Sequence, residues 1–435
     1  GDGVCFHTNI GNETMTKMKR LVGALAVAGV MAPGIALATN GYFSHGYGMK
    51  AKGMAGIGIA LPQDALAAAT NPAGMAFVGD RLDIGLDWFR PIRDAEIVGN
   101  ALPALNRDYN GSDQKNFFIP EFGYNKMLGW NMALGVSVYG NGGMNTNYKD
   151  GIPLFGTSRA GVDLMQLFVA PTFAYKIDKN HAVGISLNLA YQRFKAYGLQ
   201  NFTAPGFSVS SNDITNNGYD SSTGWGIKIG YTGNLTEAVT LGATYQSRTR
   251  MSKFSDYKGL FAEQGDFDIP ENYGIGIAIR ATPKLTVAAD VQHINYGQIE
   301  SVGNKVDCFF AGLCQLGADN GPGFGWRNMT VFKLGASYAW SDKLTLRAGL
   351  STTRQPIPKG QTLFNMIAPG VVENHLTLGA TWAVSPSSEL TLAYMHAFSK
   401  KVNGAGSIPL AGFGGGNANL KMYQNSLGIA YGLKF

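Results

Sequence analysis

The sequence is poor in the residue types that build catalytic and metal centres. It holds six histidines and three cysteines in 435 residues, and charged residues make up 15% of it. Neither a Gly-x-Ser-x-Gly nucleophile motif nor a phosphate-binding Walker motif occurs. The histidines beyond the amino-terminal segment are scattered, at His45, His181, His293, His375 and His396. We therefore predict no enzymatic activity, no catalytic residue, no metal site and no cofactor.

Long apolar runs are also missing. No stretch reaches the roughly 18 uninterrupted apolar residues that a transmembrane helix needs. No basic run stands out either, although the net charge is +6. The sequence therefore gives no indication of helical membrane spans or of nucleic-acid binding.

The chain opens with the pattern of a secretory leader. A basic patch precedes apolar residues 21–30, and Ala36-Leu37-Ala38 has the small-x-small form that signal peptidases cut. We predict a signal peptide over residues 15–38, preceded by a tag or upstream extension over residues 1–14. The mature chain is then expected to begin at Thr39.

Two cysteines remain in the predicted mature chain, Cys308 and Cys314. A close pair in a secreted chain usually forms a local disulfide, and no further metal ligands lie nearby in the sequence. We predict that these two residues are bonded to each other.

The last nine residues alternate between large apolar and small or polar side chains. The large ones are Leu427, Ile429, Tyr431, Leu433 and Phe435. A period of two with one apolar face predicts a β-strand. An apolar face that nothing later in the sequence covers suits the final strand of an outer-membrane β-barrel.

The same alternation recurs after residue 80 in about fourteen segments. Most are near the roughly 9 to 11 residues that cross a bilayer obliquely, and short turns alternate with long loops as in outer-membrane barrels. We predict an all-β fold, an antiparallel transmembrane β-barrel of about fourteen strands over residues 81–435, in the bacterial outer membrane. The predicted long, extracellular loops cover residues 90–116, 140–163, 197–222, 252–270, 298–327, 355–372 and 400–420.

A barrel of this size leaves an open lumen unless something fills it. The segment before the first strand, residues 39–80, is too short for a separate stable domain, and we predict that it forms a hatch inside the lumen. It contains Gly53-Met54-Ala55-Gly56, Asp64-Ala65 and Asn71-Pro72-Ala73.

This amino-terminal pattern, the fourteen-strand layout and the terminal phenylalanine resemble the FadL/TodX family of outer-membrane transporters for long-chain fatty acids and aromatic hydrocarbons. The resemblance covers essentially the whole mature chain. It implies a barrel closed by an amino-terminal hatch, with hydrophobic cargo captured outside and released sideways into the membrane. It also implies that Asn71, Pro72 and Ala73 belong to the hatch.

An apolar route also follows from physical chemistry. Moving a methylene group into water costs about 0.8 kcal/mol, so a fatty tail needs apolar surface along its path. Aromatic side chains of two neighbouring loops are expected to be exposed and to form a capture groove, unless they pack the loops over the barrel mouth. The candidates are Phe202, Phe207, Phe254, Tyr257, Leu260, Phe261 and Phe267.

Lateral release needs a local loss of strand pairing, which glycine permits. The third strand carries Gly135 and runs into Gly140, Gly142 and Gly143. The family's lateral exit lies in the equivalent strand, so we predict a kink or side opening here.

Four charged residues are expected to face the lumen by strand parity: Lys228, Arg280, Asp290 and Arg347. A lysine or arginine among them could bind a fatty carboxylate, or could pair with carboxylates of the hatch and wall.

The sequence therefore predicts a monomeric channel for passive uptake of hydrophobic small molecules. The other predicted partners are outer-membrane lipid, lipopolysaccharide and, through the C-terminal strand, the barrel-assembly machinery. The alternative is a surface barrel that acts as an adhesin or receptor with a static plug. An apolar cavity that reaches the predicted opening favours transport, and a sealed polar lumen favours the alternative.

Overall fold

The computed structural model describes residues 39–435, so the predicted extension and signal peptide lie outside the described residues. This part of the chain contains sixteen strands, and fourteen of them form one antiparallel barrel. The strands are β1 (Arg81–Val98), β2 (Asp108–Asn110), β3 (Phe117–Leu128), β4 (Met132–Asn145), β5 (Gly161–Lys176), β6 (His181–Tyr197), β7 (Asp220–Asn234), β8 (Val239–Gln246), β9 (Arg250–Met251), β10 (Asn272–Arg280), β11 (Leu285–Ile294), β12 (Met329–Ala339), β13 (Leu344–Thr353), β14 (Asn374–Ser385), β15 (Ser388–Val402) and β16 (Asn417–Lys434).

The barrel is closed by β1 and β16. These strands pair over their whole length, from Arg81 opposite Lys434 to Val98 opposite Asn417. The other barrel strands pair in chain order, while β2 and β9 are short additions that pair with β1 and β7. The prediction of an antiparallel barrel of about fourteen strands is confirmed.

Side chains alternate between the two faces of the barrel wall. On β16, Leu427, Ile429 and Tyr431 are about half exposed, whereas Ser426 is buried. The exposed apolar face points away from the lumen, as expected of a barrel whose outer surface contacts lipid. The period of two therefore identifies both the strands and their outward face.

Two strands extend furthest beyond their predicted bounds. β1 continues to Val98 although the alternation predicts a loop from residue 90, and β4 continues to Asn145 although a loop is predicted from residue 140. The pairing of β1 with β16 continues beyond the part of each strand whose outward side chains are apolar. Apolar alternation marks the part of a strand that faces lipid, and it stops where the outward side chains become polar, at Arg90, Asp94 and Glu96.

The helices in residues 39–435 are all short. None of them is long and apolar enough to cross a membrane. The α-helices are α1 (Met49–Lys52), α2 (Ala262–Gly265), α3 (Glu300–Gly303) and α4 (Asp307–Phe310). The 3₁₀ helices are Ala67–Ala69, Pro72–Phe77, Pro103–Leu105, Gln200–Thr203, Ser255–Tyr257, Tyr296–Gln298, Lys359–Gln361 and Phe364–Met366.

The long loops pack on one another in a shared hydrophobic core. The ring of Phe202 lies 5.5 Å from that of Phe364 and 6.2 Å from that of Phe309, so three different loops meet there. Cys308 and Cys314 are joined by a disulfide in the loop that follows β11, with Cα atoms 5.4 Å apart. The barrel therefore carries a structured cover rather than separate loops.

Candidate functional site

Residues 39–80, the hatch, lie inside the barrel and are mostly buried. Asn71 caps the helix Pro72–Phe77, because its Oδ1 accepts a hydrogen bond from the Ala73 amide at 3.1 Å. Its Nδ2 donates to the carbonyl oxygens of Ile59, at 2.7 Å, and of Tyr231 on β7, at 2.9 Å. One amide side chain thus joins two parts of the hatch to each other and to the wall.

Buried ion pairs hold helix α1 of the hatch against the wall. Lys50 pairs with Glu389 of β15, and Lys52 Nζ lies 2.8 Å from Asp87 Oδ2 of β1. All four side chains are at most one tenth exposed. Removing one partner of such a pair leaves an uncompensated buried charge, at a cost of about 3–5 kcal/mol. These pairs therefore anchor the hatch firmly.

Three of the four predicted lumen charges bind the hatch, among them Asp290 and Arg347. Asp290 on β11 accepts hydrogen bonds from the amides of Gly58 and Ile59, at 2.9 and 3.1 Å. Arg347 on β13 donates to Gln63 Oε1 at 2.9 Å. Arg280 does not face a closed lumen, because it ends β10 and is exposed at the rim. Strand parity gives a direction, but it does not say whether the lumen is filled at that height.

A narrow cavity of about 20 Å³, the inner cavity, lies between the hatch and the wall. Phe43 and Tyr47 of the hatch line it together with Lys228, Asp290 and Lys333. Lys228 is buried and donates to a hatch carbonyl, and in the described part of the chain it has no carboxylate within 4.0 Å. Lys333 escaped prediction, although the alternation of β12 places it on the same inward face. The inner cavity therefore combines apolar surface with charge.

A second cavity of about 50 Å³, the outer cavity, lies among the long loops. Ser301 supplies the single polar side chain among the described residues that line it. A site of this composition binds apolar surface and offers no partner for a charge. Its phenylalanines are Phe155, Phe194, Phe202, Phe261, Phe324 and Phe364.

The predicted capture groove is not an exposed surface. Phe202, Leu260 and Phe261 line the outer cavity. The prediction of exposure is wrong for most of the set because these side chains form the hydrophobic core of the loop cover. Phe207 is half-buried at the edge of that core, and the remaining three are fully buried, namely Phe254, Tyr257 and Phe267.

The sheet is interrupted between β3 and β4. Pairing of the two strands ends at Phe122 opposite Val138, so residues 117–121 of β3 pair with β1 but have no partner on β4 within the described chain. β4 remains paired with β5 and bulges at Asn141, between Gly140 and Gly142. We call this interruption the β3–β4 gap.

The start of the hatch occupies this gap. Within the hatch arm, residues 40–47, the carbonyl of Tyr42 accepts a hydrogen bond from the Gly143 amide at 2.9 Å. The amide of Ser44 donates to the Asn141 carbonyl at 3.0 Å, and so does the hydroxyl of Tyr47. The hatch arm thus takes the place that β3 would have along this part of β4.

Three of the four glycines predicted at a side opening border the gap, namely Gly140, Gly142 and Gly143. A Cβ atom on Gly142 would lie 2.0 Å from the Tyr42 carbonyl oxygen, so glycine permits the close approach of the hatch arm. Gly135 lies outside the gap, in regular pairing with both neighbouring strands. It instead makes room for the hatch, because a Cβ there would lie 2.5 Å from Met75 Cε.

Charge also occurs in the loop cover, in the segment between β9 and β10. Burial raises the pKa of Asp266 to about 7, and the nearby carboxylates of Asp268 and Glu263 add to the rise. Arg248 opposes it, with Nη2 3.6 Å from Asp266 Oδ2. Within residues 39–435 no three potential metal ligands are close enough to hold an ion.

A family model described as outer membrane protein transport protein (OMPP1/FadL/TodX) matches residues 25–408. The chain belongs to this family. Its outer-membrane location and its general role as a channel for hydrophobic substrates follow from FadL/TodX membership together with the fourteen-stranded barrel.

The relatives of the FadL/TodX family are distant in sequence. Outer membrane protein P1 of Haemophilus influenzae is 22% identical over an alignment 399 residues long, which covers 79% of this chain and 82% of that protein. The toluene transporter TodX of Pseudomonas putida superposes with a TM-score of 0.67 at 18% identity, covering 90% of this chain and 99% of TodX. A Pseudomonas aeruginosa FadL homologue gives a TM-score of 0.69 at 16% identity, with 91% and 100% covered. These structures share the fold.

Proposed function

We propose that the protein takes up hydrophobic molecules passively along a path of three parts. Cargo is captured in the outer cavity, passes the hatch arm into the inner cavity, and leaves sideways through the β3–β4 gap. The observation that carries this proposal is the gap itself, where the hatch arm replaces a strand. The inner cavity reaches it, because Tyr47 and Asn141 belong to both.

The outer cavity suits the first step. An alkyl chain or aromatic ring that enters it leaves water at a gain of about 25 cal/mol per Å² of apolar surface. The outer cavity does not select for a particular head group, because its lining carries no charge. Capture there is expected for fatty acids and for uncharged hydrocarbons.

The gap suits the last step. Backbone groups of a strand edge have no partner in hydrocarbon, and each unsatisfied group costs several kcal/mol. The hydrogen bonds from Gly143 and Ser44 close this edge when the hatch arm is in place. Displacement of the arm opens a route between the lumen and the membrane while the rest of the hatch stays anchored.

Deleting Asn141 tests the lateral route. The deletion removes the extra residue of the bulge, so that β4 regains regular register with β5 and can pair further with β3. We expect loss of uptake of radiolabelled fatty acid and of toluene by intact cells, with a folded barrel still present as judged by heat-modifiable migration.

A matched control is deletion of Ser399, which belongs to the bulge of β15, where no gap occurs. This variant should transport normally. Undiminished uptake after deletion of Asn141 would exclude the lateral route. Uptake of both compounds that is equal in cells with and without the protein would exclude the transport function and favour a surface receptor.

A further inference from the structure

The outward face of β6 changes from apolar to basic along the strand. Its exposed apolar side chains are Val183, Ile185, Leu187 and Leu189, and the same parity places Arg193 and Lys195 on this face. Arg193 follows Val183 by ten residues, which at about 3.3 Å per residue and a tilt of about 40° is about 25 Å across the membrane. The apolar band of such barrels has about this height. The two cations therefore lie at the level of the outer head groups, on the side of the long loops.

Tyr219, which directly precedes β7, holds the two cations beside each other. The Arg193 Cζ atom lies 4.2 Å from the centroid of the Tyr219 ring, and the Lys195 Nζ atom lies 4.4 Å from it. The Tyr219 hydroxyl donates to Asp163 of β5, which is 2% exposed and also accepts from Asn145 Nδ2 at 3.2 Å. The ring is thus fixed from beneath. We call Arg193, Lys195 and Tyr219 the β6–β7 basic patch.

The carboxylates near the β6–β7 basic patch are engaged elsewhere. Asp163 is bound to Tyr219 and Asn145. Asp220 accepts hydrogen bonds from the backbone amides of Ser221 and Asp256, at 2.7 and 2.9 Å. Within residues 39–435, no carboxylate oxygen lies within 4.0 Å of Lys195 Nζ. Two like charges beside one ring repel each other, so an anion that contacts both is favoured.

The outward face at the seam of the barrel is different at a similar level. Lys401 Nζ lies 2.8 Å from Glu96 Oε2, and Lys421 stands opposite Asp94 in the pairing of β16 with β1. Charges of both signs therefore neutralise one another there. The β6–β7 basic patch presents two cations and one aromatic ring instead.

We propose that the β6–β7 basic patch binds a phosphate group of lipid A, the membrane anchor of lipopolysaccharide. Lipid A lies in the outer leaflet, its phosphates are at head-group level, and its acyl chains can cover the apolar side chains of β6. Arginine and lysine are the residues that bind phosphate most strongly. The patch lies on the outside of the barrel, so this inference is independent of the transport proposal.

Binding of lipid A to the purified, delipidated protein in detergent micelles tests the site, with native mass spectrometry as the readout. Phosphorylated and dephosphorylated lipid A share their acyl chains, so the ratio of their dissociation constants isolates the phosphates. We expect the wild type to prefer the phosphorylated form, and the double variant Arg193→Gln, Lys195→Gln to reduce this preference by about tenfold. The matched control Lys179→Gln, Lys284→Gln removes two exposed cations from periplasmic turns and should keep the preference.

The conservative variant Lys195→Arg should also keep the preference, and high salt should weaken it in the wild type. A wild type that binds both forms of lipid A equally would refute the site. An unchanged preference in the double variant would place the phosphates elsewhere, and an equal loss in the control would show attraction by net charge alone. Competition by an equal concentration of phosphatidylglycerol would show a site for any anionic lipid. Each of these three results would overturn the proposal.

Discussion

The outer and inner halves of the lumen are held together by different forces. In the outer half, phenylalanine rings from separate loops pack around a cavity with a single hydroxyl in its lining. In the inner half, the hatch is fixed by buried ion pairs and by hydrogen bonds from its amides to wall carboxylates. Apolar packing has no fixed geometry and adapts to an apolar guest, whereas a buried ion pair cannot give up one partner without a large cost.

Because of this difference, we expect the two halves of the lumen to differ in mobility during transport. Apolar cargo can replace the contacts between loop side chains, because it offers surface of the same kind. It cannot replace Asp87 or Glu389 as partners of hatch lysines. The body of the hatch is therefore expected to stay in place during transport, and movement to be confined to the loop cover and the hatch arm.

The largest expected effect on stability comes from removing a buried ion pair of the inner half. Lys52→Met leaves Asp87 buried and unpaired, and should lower the free energy of unfolding by about 3–5 kcal/mol. Urea unfolding in lipid vesicles measures this loss. Cells that carry the variant should also become more sensitive to large hydrophilic antibiotics, because a loosened hatch lets water-soluble molecules through the barrel.

Lys401→Met is the matched control, since Lys401 pairs with Glu96 on the exposed surface. Exposed pairs contribute about 1 kcal/mol or less. Similar losses in the two variants would contradict the distinction between a rigid inner half and the rest of the barrel. Recovery in the double variant Lys52→Met, Asp87→Leu would support it.

A smaller effect is expected in the outer half. Phe364 is half-buried at the outer cavity, and Phe364→Ala removes apolar surface that cargo would contact. Affinity should fall by about tenfold for a fatty acid and for a hydrocarbon of equal length alike, because the lost contact is apolar. Phe398→Ala, on the outward face of β15, serves as control. A loss confined to the fatty acid would show that the outer cavity recognises head groups.

The smallest effect concerns the charge at the edge of the loop cover. The folded-state pKa of Asp266 is about 7, above the roughly 3.9 of an unfolded chain, so the carboxyl stabilises the fold less as pH rises through this window. Asp266→Asn should therefore slow hydrogen exchange of the amides in residues 247–271 at pH 8, by about tenfold or less, relative to the wild type at the same pH. At pH 3 the two proteins should agree, because the carboxyl is then protonated in the folded and the unfolded state. A larger difference in exchange rate between the two proteins at pH 5 than at pH 8 would contradict the predicted effect of the Asp266 charge.

The barrel was predictable because each strand has one lipid-facing side. Lipid imposes a strict period of two, and Leu427, Ile429 and Tyr431 show it plainly. The upper part of β1 was missed because its outward side chains are polar there. Arg93 consequently fell in a predicted loop, and its burial was not foreseen.

The candidate site was less predictable, for a related reason. Phe254, Tyr257 and Phe267 lie in loops whose partners are far away in sequence, so no local pattern distinguishes a groove from a loop core. The bulge at Asn141 is different, because glycine-rich sequence at Gly140–Gly143 carries a local signal. Lys333 was available to the same parity rule that identified Lys228.

The hydrogen bonds between the hatch arm and β4 have a consequence for how the molecule is assembled. Because Tyr42 and Ser44 complete the hydrogen bonding of the wall, the plug is also a piece of the barrel's sheet. A finished cylinder offers no way to thread residues 39–80 into a lumen they fill so closely. We therefore expect the hatch to be in position before the seam between β1 and β16 closes.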